Sequence, residues 1–227
     1  MKAPRYLSEQ DHARVSAAVG LAEAHTAGEI VTIIAERSDG YTDVALAWAA
    51  FAAILALGVL AIAPEAALDL YENLTGGWIV EWTSREIFFL AALAATFAFG
   101  CVLLVQLWQP LKFGLVPSPI KSARVRDRAL RAFRIGAERR THGRTGILIY
   151  LSMRERRAEI VADEAIATRI DPEVWGDAMT AMLDQIRAGR VADGMIAAIE
   201  GVGAVLADHF PPARDDRNEL PDRLIEV

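Results

Sequence analysis

Four charged residues sit where a small α/β domain could use them for chemistry. Glu29 opens an apolar, β-branched run, Arg144 precedes a second one, and Asp163-Glu164 closes a third. Carboxylates offer hard oxygen ligands to Ca²⁺ or Mg²⁺, and a guanidinium grips a phosphoryl group through two parallel hydrogen bonds. If the strand ends converge, Glu29, Asp163 and Glu164 would hold a divalent cation or activate water, while Arg144 oriented a phosphoryl group. That is the chemistry of a metal-assisted phosphatase. The same residues also allow a plainer reading, in which Arg144 pairs with one carboxylate to pin the fold and the others are solvated. The plainer reading is favoured, because nothing else in the chain completes a catalytic constellation.

Other chemistries find little support. His12, His25, His142 and His209 have no mutual metal-ligand spacing, and the acids Asp215, Asp216, Glu219 and Asp222 lack the spacing and central glycine of an EF-hand. There is no G-x-S-x-G elbow, no phosphate-binding G-x-x-x-x-G-K-[ST] loop and no dinucleotide fingerprint. The single cysteine, Cys101, excludes an intramolecular disulfide and a C-x-x-C redox pair.

The elements that would position these residues follow from periodicity. Glu29–Ala35, Ile147–Ser152 and Ala158–Ala162 read as short buried strands, the last two joined by a charged hairpin over 153–157. Ser8-Glu9-Gln10-Asp11 reads as a helix N-cap, with Val15, Ala18, Val19 and Ala22 on one face and Gly28 as the stop. Further helices are expected over 122–135, from Asp171-Pro172-Glu173 onward, and over 191–209. Strands alternating with helices predict an α/β fold, a small αβα sandwich.

The 227 residues are 53% apolar and 24% charged with a net charge of −6, which excludes intrinsic disorder and argues against a general nucleic-acid binder. Mean hydropathy is +0.25, and the excess sits in two runs. Val44–Ala63 and Ile87–Trp108 carry no charge and are 20 and 22 residues long, enough for a helix to cross about 30 Å of hydrocarbon. A transmembrane hairpin over 43–111 is therefore expected, with an acidic loop at 64–86. It would split one soluble domain into residues 1–42 and 112–210, leaving 211–227 as a polar tail. Lys112, Lys121, Arg124, Arg126 and Arg128 follow the second run, whereas the connector has Arg85 as its one basic residue. The positive-inside rule then puts both termini in the cytoplasm and the spans in an inner (plasma) membrane.

Residues 121–144 hold nine Lys/Arg against Asp127 and Glu138. Within this run Arg124, Arg128 and Arg131 form a stripe at i, i+4 and i+7, with Arg126 close by. Phe133 is the lone aromatic, too few for stacking on single strands, so membrane lipids are the expected partner and nucleic acid is not.

At these residues the chain resembles the TPM domain family, which includes a thylakoid-lumen acid phosphatase, photosystem II repair factors and bacterial envelope proteins. The resemblance rests on Leu7-Ser8 with its helix, Thr26-Ala27-Gly28-Glu29-Ile30-Val31, Arg139-Arg140-Thr141, Arg144 to Ile149, and Glu159 to Asp163. It extends over nearly all 158 residues outside the hairpin, and it implies the sandwich fold and, with less force, a phosphatase activity with Ca²⁺ or Mg²⁺. Two features depart from the family's usual pattern: the anchor lies inside the domain, and Asp163-Glu164 replaces a glycine-rich turn. The resulting expectation is an integral membrane protein with a cytoplasmic TPM-like domain, acting as an interaction or assembly module with other envelope proteins or itself. A tethered phosphatase and a small oligomeric channel or transporter subunit are the alternatives.

Overall fold

The computed structural model describes residues 6–76, 82–136, 145–212 and 222–227. The chain divides into two compact units, one of Met1–Asp39 with Ser118–Val227 and one of Gly40–Pro117.

The first unit is built on a sheet. Helix α1 (Glu9–Glu23) starts on Ser8, whose hydroxyl accepts the Asp11 amide at 3.1 Å, as the N-cap pattern predicts. It ends at Glu23, earlier than Gly28 suggests, and strand β1 (Glu29–Ala35) follows. After the second unit come α6 (Ser118–Gly136), β2 (Gly146–Ser152), β3 (Arg157–Ala162), α7 (Glu164–Ala167), a 3₁₀ turn (Pro172–Trp175), α8 (Gly176–Arg187), α9 (Val191–His209) and β4 (Ile225–Glu226). The strand order is β3-β2-β1-β4. β1 and β2 run parallel from Glu29↔Gly146 to Ala35↔Ser152, β3 is antiparallel to β2, and β4 is parallel to β1.

Both faces of the sheet are covered, which is why β1 and β2 read as unbroken apolar runs rather than alternating ones. On one face Ile30, Ile34, Ile147, Ile149 and Leu151 pack with Val15 and Val19 of α1, Met182 of α8, and Met195, Ile199 and Leu206 of α9. On the other, Val31, Ile33, Leu148 and Tyr150 meet Val125, Ala129 and Phe133 of α6. The fold is mixed α/β, with helices on both sides of a four-stranded sheet.

Two sequence expectations need correction here. The end of the polar tail is a strand: Ile225 and Glu226 pair with Ile33 and Ile34. Glu226 also accepts the Tyr6 and Leu7 amides, each at 3.2 Å, and lies 2.9 Å from His12 Nε2. A two-residue strand is too short to leave a period in the sequence. The acidic connector, in turn, is helical over much of its length, because Pro64 closes the first run and also occupies the first turn of a new helix, where a missing N–H costs nothing.

The second unit is helical: α2 (Thr42–Ile62), α3 (Pro64–Thr75), α4 (Ser84–Val105) and α5 (Gln109–Leu115). Helix α4 starts before the uncharged run because Thr83 and Glu86 form a capping box. The start of α2 meets the end of α4 and α5. Gln106 Nε2 donates to the Ala45 carbonyl at 3.1 Å, Trp48 Nε1 donates to that of Leu115 at 3.2 Å, and Tyr41 meets Phe113 edge to face. Helices α2 and α4 are both long and apolar enough to cross a membrane, with 11% and 0% of their most apolar windows buried.

Candidate functional site at the amino-terminal end of β1 and β2

The sheet register aligns Glu29, Gly146 and Asp163 across three strands. Glu29 is the Cα partner of Gly146, and Asp163 N–H donates to the Gly146 carbonyl at 2.8 Å. Residues 29, 146 and 163 fall on the sheet face that carries Val31 and Leu148, so both carboxylates flank a glycine on the α6 side. Glu29 and Asp163 are each 7% exposed. Local bonds fix this end further: Glu29 N–H donates to the Thr145 carbonyl at 3.1 Å, and Thr145 Oγ1 donates to that of Ala27 at 2.8 Å.

The two carboxylates differ in role. Asp163 caps α7, its Oδ1 accepting the Glu164 amide at 2.8 Å, while its buried Oδ2 has no hydrogen-bond partner among the described residues. Glu164 is exposed on the first turn of α7. Among the described residues no group of three His, Cys, Asp or Glu side chains is arranged to hold a metal ion, so Glu29, Asp163 and Glu164 supply no three-ligand centre for Ca²⁺ or Mg²⁺ there. Arg144, together with Thr141 and His142, lies outside the described residues.

A further carboxyl at this end was not singled out from the sequence. Glu23, the last residue of α1, accepts the Ile30 amide on Oε1 at 2.7 Å, and its carboxyl lies beside that of Asp222. Burial pushes its pKa up, the Ile30 amide pulls against this, and the nearby Glu29 and Asp222 carboxylates add to the rise, which reaches about 8. The one available signal was an acid in the last turn of a helix with no basic residue beside it, unfavourable to the helix dipole unless something else holds it.

The four arginines of the α6 stripe have unequal surroundings. Arg124 pairs with Asp39, Nε to Oδ2 at 3.2 Å. Arg126, Arg128 and Arg131 are exposed. Arg126 lies near Glu159, whose carboxyl burial pushes up, and Arg128 near Tyr150, whose hydroxyl burial also pushes up. At the opposite end of the sheet, Ser38, Tyr150, Ser152 and Glu155 form a largely buried polar network, with Ser38 N–H on Glu155 at 2.9 Å and Ser38 Oγ on Ser152 at 3.0 Å.

Comparison with known proteins agrees with this fold. The structure resembles the NMR structure of BA42 protein from the psychrophilic bacterium Bizionia argentinensis, with a TM-score of 0.57, 18% identity, and coverage of 100% of this chain and 99% of that one. At that identity the likeness speaks for the fold alone. No curated protein matches the chain. A family model does match, and it covers α6 through most of α9, including β2, β3 and Asp163: over residues 115–205 this chain matches the TPM domain family.

Proposed function

We propose that residues 40–117 anchor the protein in an inner membrane through α2 and α4, and that the α/β unit serves on the cytoplasmic side as an interaction or assembly module. The observation that carries this reading is the exposure of the two apolar helices. A helix of a soluble core is mostly buried, yet α2 and α4, 21 and 22 residues long, have 11% and 0% of their most apolar windows covered. Phe88, Phe89 and Phe97 on α4 are each at least 70% exposed. In water such a surface would be an aggregation hazard; in hydrocarbon it costs nothing. The orientation rests on Lys112, Lys121 and the α6 arginines beyond α5, against an acidic connector. Anionic lipid at the membrane surface suits the exposed Arg126, Arg128 and Arg131, and the partner proteins would be other envelope proteins or further copies.

Single cysteines at positions 72 and 193, in a Cys101→Ala background, test this with an impermeant thiol reagent on intact cells. Position 72 should label and position 193 should stay protected until lysis. The reverse pattern overturns the orientation, and release of the chain by alkaline carbonate overturns the anchoring itself.

A second reading, a tethered phosphatase, is favoured by one observation: Glu29 and Asp163 share one face at one end of the sheet. Arg144→Lys separates the readings, because it keeps the charge and loses the bidentate fork. A structural Arg144 loses stability on that change, whereas one that grips phosphate loses turnover of a phosphomonoester at nearly constant melting temperature. The expected result is the first.

A further inference from the structure

A cavity lies beyond the carboxyl end of β2, at the far end of the sheet from Glu29 and Asp163. Its volume is about 580 Å³, within the range of small-molecule sites. Leu151, Met153, Leu183, Ile186 and Val191 give it an apolar lining, and two guanidinium side chains, Arg156 and Arg187, complete the wall. Open α/β sheets place ligands outside the carboxyl ends of their parallel strands, which is where β2 delivers Ser152 and Met153.

The walls are fixed by backbone geometry. On one side the α8–α9 turn closes as a Schellman motif: Gly189 has φ +81°, its N–H donates to the Ile186 carbonyl at 2.9 Å, and Arg190 N–H donates to that of Gln185 at 3.0 Å. On the other side, the β2–β3 hairpin turns through Arg156, which has φ +53°. The Met153 carbonyl accepts the Arg156 N–H at 3.3 Å, and the left-handed residue closes this tight turn, a position that favours glycine or asparagine but that arginine fills here. Its guanidinium makes no ion pair among the described residues, and Arg187 is held by an exposed i,i+3 pair with Asp184, which binds weakly. An apolar cavity walled by two available cations is complementary to one kind of molecule.

We propose that this cavity binds the head and one alkyl chain of an anionic amphiphile, with the carboxylate or phosphate on Arg156 and Arg187 and the chain on the Leu151–Met153–Leu183–Ile186 lining. The anion could arrive as a free fatty acid or as the head of a bilayer phospholipid with one chain inserted; the recognition chemistry is the same.

The full chain, in nanodiscs of zwitterionic lipid, is titrated with laurate while the Met153 methyl resonance is followed, assigned through Met153→Leu. A saturable shift is expected, with dodecanol binding at least tenfold more weakly. Arg156→Gly should weaken laurate at least tenfold and abolish its preference over dodecanol while leaving the melting temperature unchanged or higher, since glycine relieves the positive φ. Arg156→Lys should restore most of the affinity. If bilayer lipid supplies the anion, discs containing phosphatidylglycerol should shift the same resonance without laurate, again only when residue 156 is cationic. Equal affinity of laurate and dodecanol, or binding indifferent to Arg156 in both kinds of disc, overturns the proposal. Met153→Trp, which fills the cavity from its lining, provides the second variant and should block both ligands.

Discussion

Glu23 makes stability depend on pH in a direction unusual for a carboxyl group. Its pKa is about 8 in the folded chain and close to 4.5 in the unfolded one, so the folded state holds an extra proton between those values. The stabilisation from that proton is complete below pH 4.5 and is lost as pH rises toward 8. Glu23→Gln keeps an acceptor for the Ile30 amide and removes the charge. It should flatten the stability–pH curve between pH 5 and 8 and add about 1–2 kcal/mol at pH 8, read as melting curves across that range; an unchanged slope would assign the dependence to other groups. Asp163 allows a separate test. Asparagine is as good an N-cap as aspartate, so Asp163→Asn should melt like wild type, whereas Asp163→Ala should lose about 1 kcal/mol. A large loss in Asp163→Asn would mean that the negative charge itself is needed, as a grip on a cation requires. Glu29 and Asp163 were legible in the sequence because each stands at the boundary of an apolar run, and strand pairing then brings such boundaries together. Glu23 was not, since its neighbours come from β1 and from a C-terminal segment about two hundred residues away.

Elements with a sustained period were readable, and those defined by tertiary contact were not. Strands β1 and β2 stood out because burial on both faces demands an almost unbroken run of apolar or small residues, six in succession after Glu29 in β1. Strand β4 has two residues and owes its place to Glu226, which gathers the Tyr6 and Leu7 amides and His12. Glu226→Ala should therefore speed amide exchange at Glu36 and Val227, whose N–H groups bond across this edge to Val227 and Ile34, at a cost of about 1–3 kcal/mol. Unchanged exchange would show that the edge pairing holds by itself. The packing of α9 on α1 depends on a missing side chain: a methyl at Gly203 would stand 2.7 Å from Ala22 Cβ. Gly203→Ala should cost about 1–3 kcal/mol in chemical unfolding despite alanine's better helix propensity, because two backbones must separate.

At the scale of the whole molecule, a sheet domain is interrupted by a helical insertion, and composition alone revealed the interruption. Hydropathy located the inserted helices to within three residues, yet their true starts and ends depended on caps and on α5. The cut ends belong together: Asp39 is paired with Arg124, about 9 Å along α6 from Ser118 at 1.5 Å per residue. Replacing 40–117 with a short Gly/Ser linker should then give a soluble, cooperatively unfolding α/β domain, since closure entropy rises slowly with length. Aggregation with every linker tried would count against an independent unit. The register of β1 has one more consequence, which concerns time. Every residue of β1 is buried, and its partners are β2 on one edge and β4 on the other, both made later; Glu29 is synthesised first and must wait for Gly146. At ~5–20 residues per second the delay is on the order of 10 s. Throughout it the ribosome holds out a sticky, half-made strand while the apolar insertion emerges behind it. Maturation should therefore depend on a chaperone or targeting factor that shields the first forty residues, and slowing elongation just after β1 should lower the yield of folded protein more than slowing it after β2.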